Sequence, residues 1–406
     1  MLLKQSVEKN FFRLFPIFFV LFLDLLSFSA VIPLIPPLFL GQEGILTNIS
    51  LQVRYIFLGA LLASYPLAQI FSGPLLGAFS DATSRKKVLL ISFLGNCLGY
   101  LFVAFGIATS SVIWLFIGNI ISGFLGGNIV AINALIADLS TPYTKARYYG
   151  FLNLIFGIAF VIGPYITSYF SFNLSPYPFL ICAFFAIANF WIILFFLHEK
   201  ESSPISWKRE WHIKTFFLSS KKLQGILISG FLLFLGWYFF IKFFQVFLFN
   251  YFQFSGQKFS EVLSYFGFCC VLTQILFVSV LYKWMQPHKF LPFMLGILSL
   301  SLLSLLYIED ETSLWIVVTI FSIAYSFISP GFTAVISNSE TPAIQGKVMG
   351  LYQSVQALAK VLAPSLAGII MAVNSDLPLL ISSICIMLSA LTFFFVKKSR
   401  NVNVCS

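Results

Sequence analysis

Long apolar runs alternate with short polar breaks along the whole chain, and no run shows the two-residue alternation of a half-buried strand. Runs long enough to cross about 30 Å of hydrocarbon at about 1.5 Å per residue fall near 15–38, 54–78, 87–107, 110–137, 147–171, 174–197, 223–249, 260–282, 290–308, 313–337, 346–372 and 377–396. The pattern predicts an all-α integral membrane protein with twelve transmembrane helices and argues against a β-barrel. The longest break, rich in Lys, Glu, Ser and Trp, covers 198–222. It divides the chain into a six-helix bundle over 1–197, a cytoplasmic linker over 198–222 and a second six-helix bundle over 223–406. The first apolar run outlasts a signal core and has no small-residue cleavage site, so it is expected to stay as a span.

Composition strengthens this picture. Of 406 residues, 59% are hydrophobic and 9% charged, and the mean hydropathy is +0.95. A soluble domain has about 25% charged residues. The net charge of +10 is distributed by side. If the N-terminus is cytoplasmic and the spans alternate, twenty of the 24 Lys and Arg fall in cytoplasmic segments. The opposite side receives Arg54, Lys258 and the acidic stretch Glu309-Asp310-Glu311. This bias predicts both termini in the cytoplasm. The bases are spread over seven segments, so nucleic-acid binding is not expected. The six cysteines have no metal spacing with the three histidines and read as packing residues. No nucleotide loop or metal cluster is present, and no cofactor is expected.

Rare polar residues inside the runs are the candidate chemistry. Asp24 is the one acid in the interior of a span and lies 11 residues after Arg13, about 16 Å along a helix. A carboxylate at that depth is costly unless it faces a cavity, is paired or is protonated. It reads as a proton carrier or a substrate contact, and otherwise as a structural acid tied to a base. Ser27 shares its face at i+3. Lys242 has Tyr238 and Gln245 on its face, and Lys360 has Gln353 and Gln356 on its own. These two bases would balance an anionic substrate; alternatively, Lys242 snorkels to the outer interface. Asn119, Asn128, Asn133 and Gln69 read first as interhelical hydrogen bonds, with Asn119 and Asn133 as further cavity candidates. Small residues four apart (Gly118, Ser122 and Gly126; Gly59 and Ala63; Gly73 and Gly77) are expected to let helices approach closely.

The charged loop after the second run carries a family resemblance. Gly77, Asp81, Lys86 and Lys87 fit the pattern Gly-x-x-x-Asp-basic-x-Gly-x-basic-basic, while Ala82 and Ser84 depart from it. With the six-plus-six plan, this loop resembles the major facilitator superfamily. Leu23-Asp24 with Ile32-Pro33-Leu34-Ile35-Pro36, Ala137-Asp138 before Lys145-Ala-Arg147, and Gly157 with Gly163-Pro164 resemble the drug/proton antiporters, most of all the tetracycline exporters. Asn119 stands where those antiporters carry an intramembrane Arg.

The resemblance implies the major facilitator fold, with spans one, four, seven, ten and eleven lining a cavity. The candidate cavity set is then Asp24, Asn119, Asn133, Tyr238, Lys242, Gln245, Gln353, Gln356 and Lys360, with Asp24 coupling to protons. Gly77, Asp81, Arg85 and Asp138 form a candidate conformational latch, and Gly163 and Pro164 a gating bend. The expected function is proton-coupled efflux of a small molecule across a bacterial inner membrane by alternating access. The alternatives are import of an anionic metabolite or carboxylate siderophore, favoured by Asn119 and the two lysines, and a non-transporting scaffold or sensor. The chain is not expected to be an enzyme. Its expected partners are a small-molecule substrate, with an anionic one as the alternative, protons and the lipid bilayer, and it is expected to act as a monomer.

Overall fold

The computed structural model describes residues 2–41, 44–139, 142–169, 175–197, 221–278, 287–337, 339 and 345–402. At a few helical positions, including 2–13, 81, 137–139 and 345–347, it describes the backbone alone. The linker expected over 198–222 lies outside these residues except at its last two positions.

Among the described residues every regular element is a helix. In chain order they are α1 (Leu2–Val31), α2 (Ile35–Leu40), α3 (Leu51–Ala82), α4 (Arg85–Ala108), α5 (Val112–Leu125), α6 (Asn128–Leu139), α7 (Pro142–Ser168) and α8 (Tyr177–Phe196). There follow α9 (Lys221–Phe252), α10 (Gly256–Thr273), α11 (Pro287–Ser304), α12 (Glu311–Ser337), α13 (Gln345–Val373) and α14 (Leu377–Val402). Ten described stretches are long and apolar enough to cross a membrane, and Val112–Leu125 and Leu154–Ser168 are shorter apolar helices.

Local signals explain several boundaries. Ser84 caps α4, its hydroxyl accepting from the Lys87 N–H at 3.2 Å. Asp310 caps α12 in the same way, accepting from the Ser313 N–H at 2.8 Å and the Ser313 hydroxyl at 2.6 Å. Among the described residues, two non-glycine residues have positive φ, Ser110 (50°) and Gln253 (54°); they follow the C-terminal ends of α4 and α9, where a left-handed residue satisfies the last carbonyls.

The chain forms two compact units. Unit 1 comprises Met1–Ser50, Ser64–Lys208 and Gly256–Ser264; unit 2 comprises Leu51–Ala63, Arg209–Ser255 and Tyr265–Ser406. In unit 1, α1 packs on α7 and α8, and α4 on α5, α6 and α8. The inward stripe of α1, Leu14, Ile17, Phe18, Leu21 and Leu25, recurs at helical spacing and meets Val88, Leu89, Ile132, Ile136 and Tyr148 in one core. Close approach is set by small residues: a Cβ on Gly99 would lie 1.8 Å from Ser122 Oγ, and one on Gly118 2.5 Å from the Gly99 carbonyl oxygen.

In unit 2, α14 lies against both α9 and α11, and α9 also packs on α13. Reciprocal serine pairs fix these contacts. The hydroxyls of Ser229 and Ser389 each donate to the other's carbonyl at 2.8 Å, and those of Ser299 and Ser383 do so at 2.9 Å. The first turns of α3 belong to this unit, and a Cβ on Gly59 would stand 2.6 Å from Pro364 O and 2.8 Å from Gly368 Cα.

Two expectations need correction. The run at 110–137 is not one helix: it breaks at Gly126–Gly127 into α5 and α6. Gly73 and Gly77 do not mediate a close approach among the described residues, since none of these lies within 4 Å of a Cβ built on either. Spacing alone cannot tell a small residue that faces a neighbour from one that faces open space.

Candidate functional site

The chemistry of unit 1 converges on Asp24. Asp24 is half-buried on α1, and its carboxylate is held by two side-chain amides. Asn96 Nδ2 on α4 donates to Oδ1 at 3.1 Å, and Asn128 Nδ2, from the first residue of α6, donates to Oδ2. Each carboxylate oxygen thus accepts one amide N–H. The phenols of Tyr65 and Tyr100 lie within electrostatic reach of it. Ser27 does not join it, because its hydroxyl donates to Leu23 O at 2.9 Å.

The break in the α5–α6 segment is what brings Asn128 to Asp24. Without it, Asn128 would sit inside a continuous helix; with it, Asn128 opens α6, and the N-terminal end of that helix adds positive potential near the carboxylate. The backbone groups released by the break are satisfied by neighbours. Gln69 Nε2 donates to Gly126 O at 3.0 Å, Ser72 Oγ to Gly123 O at 3.2 Å, and Gly127 N–H to Ser92 Oγ at 3.0 Å. Unsatisfied, such groups would each cost about 1–3 kcal/mol in an apolar setting. Gly127 is confined as well, since its Cβ would lie 3.0 Å from Leu76 Cδ1 and 3.1 Å from Val88 Cγ1. Asn119 and Asn133 are half-buried on α5 and α6, to either side of the break.

In unit 2 the two intramembrane bases share one neighbourhood. Tyr238 and Lys242 are one turn apart on α9, and Gln356 and Lys360 one turn apart on α13. Lys360 Nζ lies 5.9 Å from the centroid of the Tyr238 ring, a cation–π contact, and Lys360 acts electrostatically on Lys242. Lys242 and Lys360 are both half-buried residues. The Tyr352 hydroxyl lies near Gln356 and Thr333. Gln245 is buried, whereas Gln353 is exposed.

The loop residues have mixed positions. Arg85 Nη1 donates to Ser80 Oγ at 2.8 Å, joining the end of α3 to the start of α4. Lys86 Nζ donates to Leu194 O at 2.8 Å in the last turn of α8, where a cation complements the helix dipole. The Asp81 and Asp138 side chains lie outside the described residues, so the Arg85–Asp138 pair does too. α7 runs through Pro164 as helix. Gly163 seats α7 on α1: a Cβ there would fall 2.0 Å from Ser29 Oγ and 2.9 Å from both Ala30 N and Leu26 O.

Sequence reasoning did not single out Asn96 or Ser92, and it took Asn128 for an ordinary interhelical bond. The adjacent pair Gly126-Gly127 just before an Asn was the available signal, since two consecutive glycines disfavour a continuous helix.

The family model described as Major Facilitator Superfamily matches residues 17–364. Over 186 residues the chain is 32% identical to the tetracycline resistance protein, class B, of Escherichia coli, covering 45% of this chain and 43% of that protein. The chain thus spans less than half the length of that relative. It is 26% identical to major facilitator superfamily domain-containing protein 10 of Mus musculus over 400 residues, 87% of this chain and 85% of that one. Among solved structures, the human organic anion transporter MFSD10 (TETRAN) superposes with a TM-score of 0.67 at 20% identity, covering 94% of this chain and 97% of that one. The D-xylose-proton symporter does so with 0.74 at 15% identity, covering 94% and 97%. At these identities the structural likenesses speak for the fold alone. The family model spans most of the chain, the described spans are apolar helices, and the chain belongs to the major facilitator superfamily.

Proposed function

We propose that this protein is a secondary transporter that moves a small molecule out of the cell in exchange for protons, with Asp24 as the group that changes protonation. One observation carries the reading: an intramembrane carboxylate clamped by Asn96 and Asn128 at the start of a helix resumed after a break. Discontinuous helices inside a membrane mark ion and substrate sites, and a carboxylate at membrane depth is a functional group by default. The similarity to a tetracycline resistance protein over 45% of this chain supports export.

In this reading the chain has twelve spans, with both termini in the cytoplasm of a bacterium, and acts as a monomer in the inner membrane. The bundles are 1–197 and 223–406, and 198–222 joins them. Gly77, Asp81, Arg85 and Asp138 stabilise one conformation. Asn119 and Asn133 from the first bundle, and Tyr238, Lys242, Gln245, Gln353, Gln356 and Lys360 from the second, contact the solute.

The test uses everted membrane vesicles with an acidic interior and a fluorescent pH-gradient dye. A transported compound from a panel including tetracycline and norfloxacin should collapse the gradient in vesicles with the wild-type protein. The collapse should be lost in Asp24→Asn at equal abundance. Wild-type collapse that persists unchanged in Asp24→Asn would remove Asp24 from this role. A second reading, import of an anionic solute, is favoured by the shared position of Lys242 and Lys360 in unit 2.

A further inference from the structure

The clamp on Asp24 suits only one of the two states that a proton carrier must pass through. Oδ1 accepts from Asn96 Nδ2 at 3.1 Å and Oδ2 from Asn128 Nδ2. Both asparagines are buried, and among the described residues neither amide oxygen accepts a hydrogen bond. A carboxylate only accepts, so two amide donors complete it. A carboxylic acid also donates. Once a proton binds one oxygen, its O–H and the amide N–H face each other, and a buried polar group is left without a partner, which is costly.

An asparagine carries the remedy in its own side chain. Half a turn of the amide exchanges N–H for C=O, and the carbonyl then accepts the new O–H. The turn breaks no other described hydrogen bond of either amide oxygen. A Lys or Arg could only donate and would suit the carboxylate alone. The two asparagines differ in what lies behind them. Asn96 is inside the unbroken α4, beside Gly95, where a Cβ would overlap Leu125 Cβ. Asn128 is the first residue of α6, directly after the break at Gly126–Gly127. With no helical turn before it, its backbone can follow as an N–H···O contact gives way to a shorter O–H···O one.

We propose that Asn128 is a positioning residue for proton exchange at Asp24: its amide donates to the carboxylate and turns over to accept from the carboxylic acid, while Asn96 donates in both states. The proton sits on Oδ2, one O–H bond forms there, and an N–H···O hydrogen bond is replaced by O–H···O=C. The other titratable groups facing Asp24 are the phenols of Tyr65 on α3 and Tyr100 on α4, with the Cys182 thiol of α8 beyond Tyr100; phenols and thiols ordinarily titrate far above a carboxyl. The charged residues of the helices around it stand away from Asn96 and Asn128: Arg85, Lys86 and Lys87 at the start of α4, Asp138 at the far end of α6, and Lys145 and Arg147 in the first two turns of α7, while α8 has none. The inference rests on the transport reading in taking Asp24 as the group that changes protonation.

The experiment is a pH titration of the full-length protein in nanodiscs by solid-state NMR, with 15N-asparagine and 13C-aspartate incorporated. The Asn96 and Asn128 side-chain signals are assigned by their loss on substitution with Ser or Gln, either of which suffices. The Asn128 amide signal should move in step with the Asp24 carboxyl signal, and the Asn96 amide signal should stay nearly constant. In Asp24→Asn neither amide should titrate. A titrating Asp24 with a silent Asn128, an Asn96 that follows Asp24 alone or as strongly as Asn128, or an Asn128 that still titrates in Asp24→Asn would overturn this inference and leave the transport reading standing. An Asp24 that does not titrate would overturn both. A companion measurement uses the gradient-collapse assay at equal protein abundance. Asn128→Leu, which neither donates nor accepts, should slow solute-driven collapse at least about tenfold, as loss of one hydrogen bond to a charged group would. Asn128→Gln, which keeps an amide, should retain more of the rate. Wild-type rates in Asn128→Leu would overturn the proposal. The titration is read on the unmutated protein, so it decides the matter even where a variant fails to fold.

Discussion

Gly163→Ala is the sharpest single perturbation of the α1–α7 contact. The added methyl would be centred 2.0 Å from Ser29 Oγ and 2.9 Å from both Ala30 N and Leu26 O, well inside the carbon contact distance of about 3.5–4.0 Å. The serine cannot turn away at no cost. Its hydroxyl donates to Ala159 O at 2.8 Å and lies 3.1 Å from Leu26 O, and such a bond contributes about 0.5–1.5 kcal/mol net. Overpacking of a close contact costs typically about 1–3 kcal/mol. The better helix propensity of Ala returns at most about 1 kcal/mol. The steric and hydrogen-bond losses win, and the net destabilisation should be roughly 1–3 kcal/mol. Reversible unfolding of the purified protein in mixed micelles, followed by tryptophan fluorescence, would measure it. Combining Gly163→Ala with Ser29→Gly removes the nearest atom but leaves both backbone clashes, so the double variant should recover only part of the loss. A Gly163→Ala protein as stable as the wild type, or complete recovery in the double variant, would refute the contact and favour a bend without close packing.

The opposite sign is expected at Gly73→Ala and Gly77→Ala: with open space at both Cβ positions, each should leave stability unchanged or raise it by up to about 1 kcal/mol in the same assay. Asp310 gives a pH dependence outside the membrane. Hydrogen bonds from Ser313, its side chain first and then its backbone, hold the Asp310 carboxyl below the ordinary carboxylate range. Since the folded value is the depressed one, the contribution of the cap is complete above the unfolded value and is lost as pH falls through the folded one. Amide hydrogen exchange at Ser313, corrected for intrinsic rate, should therefore accelerate in acid. It should already be fast at neutral pH in Asp310→Ala, and unchanged exchange in that variant would dismiss the cap.

Helical character and the membrane setting were readable because they depend on sums over long windows. Twenty apolar residues in a row leave few alternatives, and one or two misplaced residues do not alter the outcome. Asp24, Lys242 and Lys360 stood out for the same reason, being charges against an apolar background. What stayed hidden depends on direction around a helix. Gly118 and Gly73 have similar spacing to another small residue, yet one touches a neighbour and the other faces open space. Asn96 and Asn128 lie 72 and 104 residues from Asp24, and only the packing of α1, α4 and α6 reveals that their amides meet one carboxylate. The break at Gly126–Gly127 went unseen because the apolar pattern continues across it. Hydropathy records what a segment can be immersed in and says nothing of whether its hydrogen-bond ladder is intact.

The serine pairs of unit 2 bear on how this part of the molecule can move. A hydroxyl that reaches the opposite carbonyl, and receives the same in return, works at a single axial offset between two helices. Sliding by even one residue's rise of about 1.5 Å would break both halves of the exchange together. With one such lock joining α9 to α14 and another joining α11 to α14, these three helices have no graded way to shear past one another. They should be carried through any transition as a single block, and the compliance that a moving protein needs must come from elements lacking such locks.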